Sequence, residues 1–170
     1  MFDACVLGVD PGVARLGLAV VARGDRRPVL VWADTIRTPS HLPEAVRLHA
    51  VWQAVRLTIA DHRPGSVALE RVAWNVNKAS AMAVARATGA VMAAAADAGV
   101  PVEEYGSREV KNAVTGSGSA DKAAIRTALV RIHGLTDVPD QPDAADAAAI
   151  ALTHLVRSRF ADVAERAASR

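Results

Sequence analysis

The chain has 170 residues, 51% hydrophobic and 22% charged, with a formal net charge of +2. That length suits one domain with a sizeable core, and the composition excludes an intrinsically disordered chain. The balance of charge is too even to announce a nucleic-acid binder, and neither a secretory leader nor a membrane span is expected. The alanine-rich run "AVMAAAADAGV" is short and broken by Asp97.

Taken in chain order, "ACVLGVD" reads as a short buried strand ending on Asp10. Pro11 and Gly12 turn the chain into a second strand, "LGLAVVARG", and "GDRRP" is a hairpin turn into a third, "PVLVWADTI". Two tight connections make these three strands antiparallel neighbours. Apolar residues at Val46, Leu48, Val51, Trp52, Val55 and Ile59 give one helical face between about Leu42 and Asp61.

"SVALERV" is a fourth strand. It is reached through a helix and so is expected to run parallel to the first. A helix from about Lys78 to Ala98 follows, then a fifth strand, "PVEEYG", and a short helix, "SREVKNAV", with Ser107 as its expected N-cap. A Gly/Ser loop leads into a helix from about Ala120 to Ile132, and a last helix opens with "PDAADAAAIAL". The order β-β-β-α-β-α-β-α predicts a layered α/β domain with the first strand central, beside the fourth, and helices on both faces. Residues 1–160 are expected to form this domain, and 161–170 a frayed tail.

Cys5 is the only cysteine and sits in an apolar run, where it reads as a small core residue. No internal disulfide is possible, so a reducing cytoplasm is the expected location. Of the 20 basic residues only Lys78, Lys111 and Lys122 are lysines. A lysine retained in an arginine-dominated chain marks a place for a compact ammonium, or else is a chance exposed residue.

Asp10 ends the first strand and Glu70 the fourth. If the strands are parallel neighbours, both side chains emerge at the carboxyl edge, where open α/β sheets bind ligands. Asp143 and Asp146 stand at i and i+3 of the last helix and share one of its faces. Plainer readings exist: Asp10 shapes a turn, and the two helical aspartates serve as caps or complement the helix dipole. Glu70 follows an apolar strand and needs a partner. Four converging acids repel one another unless cations stand between them. Hard divalent ions with all-oxygen ligation suit the set, whereas the lack of a His/Cys cluster or HExxH speaks against zinc. Two Mg²⁺ ions on a phosphodiester would use all four acids. Lys122, in the first turn of its helix, is placed against the helix dipole, and a phosphate bound there would explain both the lysine and the Gly/Ser loop.

Five motifs, "GVDPG", "ALERV", "EVKNAV", "GSGSADK" and "DAADAAAIALTH", stand in the order and spacing of the RuvC family of Holliday-junction resolvases, which the chain resembles over about residues 4–160. The resemblance implies a ribonuclease-H-like fold with a mixed five-stranded sheet, strand order 3-2-1-4-5, and helices on both faces. It implies an Mg²⁺-dependent homodimer that cuts four-way DNA junctions by paired symmetric nicks in recombination and repair, with Mn²⁺ able to substitute. Asp10, Glu70, Asp143 and Asp146 become its catalytic carboxylates and metal ligands. Lys111 and Lys122 take the basic positions near DNA, Ser119 joins them from the Gly/Ser loop, and a branch-migration complex of the RuvA and RuvB type is an expected partner.

The family commonly has an aromatic residue three positions after the catalytic Glu, where this chain has Ala73, with Trp74 one residue on. Trp74 is therefore a candidate base-stacking wedge, with Asn77 and Lys78 holding the adjacent backbone; a core-packing Trp is the plainer reading. The helix from 78 to 98 is apolar nearly all round, which suits burial against both the sheet and a second subunit. Two other readings are a related nuclease acting on RNA or RNA–DNA hybrid and a non-catalytic junction-binding module.

Overall fold

The computed structural model describes residues 5–72 and 78–168, with side chains as far as Ser158. Five strands, β1 (Cys5–Asp10), β2 (Arg15–Ala22), β3 (Val29–Arg37), β4 (Ser66–Glu70) and β5 (Val102–Tyr105), form one sheet in the order β3-β2-β1-β4-β5. β1 pairs antiparallel with β2 and parallel with β4, β2 pairs antiparallel with β3, and β4 pairs parallel with β5. This is the topology expected of the sequence. β1 is buried through its middle because both of its faces are covered, which is why "CVLGV" is a continuous apolar run.

The helices are α1 (Glu44–His62), α2 (Lys78–Asp97), α3 (Ser107–Thr115), α4 (Lys122–Arg131) and α5 (Pro142–Ala168). They divide by sheet face, following the two-residue period of the strands. Leu7, Val9, Leu18, Val67 and Leu69 point to one side and pack with Val51, Val55 and Ile59 of α1 and Val91, Ala94 and Ala95 of α2. Val6, Ala19, Val21 and Ala68 point to the other and pack with α3, α4 and the alanine-rich start of α5.

α5 lies unusually close to the sheet. A Cβ built on Gly8 would fall 2.0 Å from the carbonyl oxygen of Ala147, and one on Gly17 would fall 2.0 Å from that of Asp143. Only glycine in the strands and alanine in the helix permit this approach, which explains the run of alanines from Ala144 to Ala151. Further along, Ile150 and Leu152 fill the core at 1% exposure each, contributing roughly 1.5–3 kcal/mol apiece.

Several local expectations are corrected. α1 begins at Glu44 after Pro43 and ends at His62, with Arg63 as a left-handed C-cap (φ 49°). The N-cap of α3 is Gly106, not Ser107; Ser107 is the first helical residue, and the Glu109 carboxylate accepts a hydrogen bond from the Gly106 N–H at 3.1 Å. α2 does have the length and composition of a membrane-crossing helix, with a mean hydropathy of 1.3, because alanines from Ala79 onward carry the apolar run to Asp97 at its last residue. It packs along α1 and onto the sheet. The helical backbone of α5 continues to Ala168.

Candidate active site

β1 and β4 are in register, with Val9 opposite Leu69, so Asp10 and Glu70 leave the sheet side by side at its carboxyl edge. Strand alternation turns Asp10 toward α5, on the same face as Val6 and Gly8. Asp10 also pairs across β1–β2 with Gly17, the glycine on which the backbone of Asp143 rests. The close approach of α5 thus brings its acidic first turn to the carboxyl edge.

A cavity of about 290 Å³ is lined by Asp10, Glu70, Ser107, Lys111, Lys122 and Asp146 over an apolar floor that includes Val110, Ile125 and Ile150. A second hollow of about 210 Å³ shares Asp10 and Glu70 and is bounded by Pro11, Arg71, Val72 and Val84. The two strand-end carboxylates stand between two openings.

The pKa of Asp10 is raised to about 7 in all, and burial is the largest influence on it. The charges of Asp146, Glu70 and Asp143 contribute to that rise, and Lys122 opposes them. All four predicted acids therefore share one electrostatic site, although Asp143 does not line the 290 Å³ cavity. Lys122 donates to the Asp146 carboxylate at 2.8 Å, and that hydrogen bond raises its pKa and keeps it charged.

The set fits a hard divalent cation in donor chemistry: carboxylate oxygens, no thiolate or imidazole, and four acids whose charge the two lysines at the cavity offset only in part. Among the described residues, no three His, Cys, Asp or Glu side chains are gathered tightly enough as placed to chelate an ion. Asp146 is turned onto Lys122.

The other predicted residues divide. Lys111 lines the cavity from α3. Ser119 is exposed in the Gly/Ser loop, with its hydroxyl 3.1 Å from that of Ser117, and it does not line the cavity. Lys78 is exposed at the start of α2. Trp74 and Asn77 lie outside the described residues. The start of α4 is capped by Asp121, whose carboxylate accepts from the Ala124 N–H at 2.7 Å. In the absence of DNA, Lys122 reaches back to Asp146. Sequence reasoning missed Ser107 and Arg71 as neighbours of the carboxylates. It also missed the roles of Gly8 and Gly17, although a glycine inside an apolar strand pattern is itself a signal of close approach.

The profile of the family described as "Crossover junction endodeoxyribonuclease RuvC" matches residues 6–154. The chain is similar to the crossover junction endodeoxyribonuclease RuvC of Corynebacterium jeikeium (strain K411), 44% identical over 153 residues, covering 89% of this chain and 94% of that one. Among solved structures it resembles Thermus thermophilus RuvC in complex with a Holliday junction substrate, at 36% identity and a TM-score of 0.86, covering 93% of this chain and 96% of that chain. The yeast mitochondrial Holliday junction resolvase Ydc2 shares the fold, with 12% identity and a TM-score of 0.66 over 89% of this chain and 78% of that one.

Proposed function

The chain belongs to the crossover junction endodeoxyribonuclease RuvC family, and from that premise we propose that it resolves four-way DNA junctions by paired symmetric nicks, with Asp10, Glu70, Asp143 and Asp146 as its catalytic carboxylates. The observation that carries this reading is the meeting of Asp10, Glu70 and Asp146 with Lys111 and Lys122 around one cavity at the carboxyl edge of the sheet.

Asp10 and Glu70 are fixed by paired strands, and Asp143 and Asp146 by a helix packed directly against the backbone at Gly8 and Gly17. Such placement on rigid elements suits a phosphodiester reaction, in which positioning supplies most of the catalysis. The four acids would hold Mg²⁺, two ions per site, with Mn²⁺ able to replace it. When bound, these ions supply charge neutralisation to the attacking and leaving oxygens of an in-line hydrolysis. Lys111 and Lys122 would bind the phosphates on either side of the scissile bond. Ser119, Lys78, Asn77 and Trp74 would contact DNA further out, with Trp74 stacking on an unpaired base at the crossover.

The protein would act as a homodimer through α2. Its outer face is exposed at Met82, Gly89, Ala93 and Ala96, and Met82 is 51% exposed. A two-fold pair would present two sites to a junction with its own approximate two-fold symmetry. Junctions would reach it from a branch-migration complex of the RuvA and RuvB type in the cytoplasm. The test is a cleavage panel of four-way junction, linear duplex, flap and RNA–DNA hybrid in Mg²⁺. Preferential symmetric nicking of the junction supports the reading, preferential cutting of hybrid contradicts it, and tight junction binding without nicking marks a binding module.

A further inference from the structure

Lys122 holds one of the four acids before any ligand arrives. Its ammonium is 2.8 Å from the Asp146 carboxylate, and its side chain is 72% exposed against 21% for that of Asp146. Asp146 is therefore the fixed partner, with its first turn of α5 seated on the sheet, while Lys122 lies on a long, solvated stem free to swing. The same ammonium acts on Asp10 and opposes the charge of the other acids there. In effect it is a built-in counter-cation, paired directly with one of the acids, in a cavity whose other lysine is Lys111. A divalent ion bound through Asp146 would share its carboxylate with Lys122, which now holds Oδ2, and the ammonium would repel that ion at short range. Once released, the ammonium would still face the cavity it now lines together with Lys111, where a phosphate of the DNA strand offers the next available negative charge.

Resting on the proposed function, we propose that Lys122 is an exchangeable counter-ion: it competes with the divalent cation for Asp146 in the DNA-free protein and transfers to a DNA phosphate when the substrate binds. Cation and junction then bind with positive coupling, because each removes the obstacle to the other. Cation loading is held back until DNA is present, so Lys122 is a positioning residue that sets when the site is loaded.

The experiment is a Mn²⁺ titration by calorimetry or electron paramagnetic resonance, on the DNA-free dimer and on its complex with an uncleavable four-way junction, for the wild type, Lys122→Gln and Asp146→Asn. Lys122→Gln is expected to bind Mn²⁺ about three- to tenfold tighter than the wild type without DNA. It is also expected to lose most of the tightening that the junction brings to the wild type. A merely structural lysine would not tighten cation binding when removed. Unchanged or weaker Mn²⁺ binding in Lys122→Gln, with Asp146→Asn clearly impaired, overturns the exchange and leaves the carboxylate site standing. If Asp146→Asn binds Mn²⁺ as the wild type does, the reading of the site itself fails and the exchange fails with it. Circular dichroism of Lys122→Gln guards against misfolding, and Lys122→Met provides a second neutral variant expected to behave alike.

Discussion

Asp143 sits directly on Gly17: a Cβ added to the glycine would come within 2.0 Å of the Asp143 carbonyl oxygen and 2.4 Å of its carbonyl carbon. Gly17 is in turn the antiparallel partner of Asp10. One missing methyl group on β2 thus lets the first turn of α5 settle beside the end of β1.

Gly17→Ala must therefore lift the start of α5 or distort β2. Overpacking against backbone gives little room for relief, and the expected loss of stability is at least about 3 kcal/mol. Junction cleavage should fall further than the folded fraction, because the displacement acts on Asp143 and Asp146. Chemical denaturation together with single-turnover kinetics checks this. A variant with unchanged midpoint and rate would show that the contact is not needed.

The pH dependence of the metal-free protein follows from Asp10. Its pKa moves from 3.8 to about 7 on folding, chiefly through burial and then through Asp146 and Glu70. The native state therefore holds a proton that the unfolded chain has released, and stability falls as pH rises from about 4 to about 7. Asp10→Asn does not pay this cost. Its melting temperature in chelator should match the wild type near pH 4 and exceed it by several degrees at pH 8, a gain on the order of 4 kcal/mol at full effect. Adding Mg²⁺ at pH 8 should narrow the gap. A melting difference that stays flat across this range would contradict the buried, crowded setting of Asp10.

Lys122 and Lys111 are expected to require lysine. A guanidinium in place of the compact ammonium at Asp146 is broader and less easily released. Lys122→Arg and Lys111→Arg should each slow single-turnover cleavage by roughly tenfold or more while the melting temperature barely moves. Silent substitutions at both positions would mean that charge alone suffices.

Gly89 offers a clean test of the dimer. Nothing lies within 4 Å of a Cβ built there, so Gly89→Leu leaves the subunit's own packing intact. Sedimentation should show monomers that bind junctions at least tenfold more weakly than the wild type. An unchanged dimer would place the interface elsewhere.

The sheet was legible in the sequence because its strands are unbroken apolar runs separated by turn residues, and the connection through α1 fixed β4 as a parallel neighbour of β1. Asp10 and Glu70 were legible for the same reason, as acids closing such runs. The spacing of Asp143 and Asp146 placed them on one helix face, but their arrival beside Asp10 depends on Gly8 and Gly17, a contact between segments more than 120 residues apart. At the start of α4 sequence reasoning left out two acidic partners, Asp121 at the cap and Asp146 on another helix, which hold the Ala124 N–H and the Lys122 ammonium in the absence of DNA. Only the first of those is local in sequence. The membrane-like hydropathy of α2 arises from alanine, a residue equally suited to close packing, so composition there decides nothing without the neighbouring α1.

The most direct test of the carboxylate site is single-turnover cleavage of a synthetic four-way junction in Mg²⁺ by the wild type and by Asp10→Asn, Glu70→Gln, Asp143→Asn and Asp146→Asn, with junction affinity measured in chelator. The wild type should give paired symmetric nicks. Each variant should cut at least about 10³-fold more slowly and bind as tightly as the wild type or tighter, since a negative charge beside phosphates has been removed. A carboxylate variant that cuts near the wild-type rate, or a wild type that leaves the junction intact, would contradict the assignment.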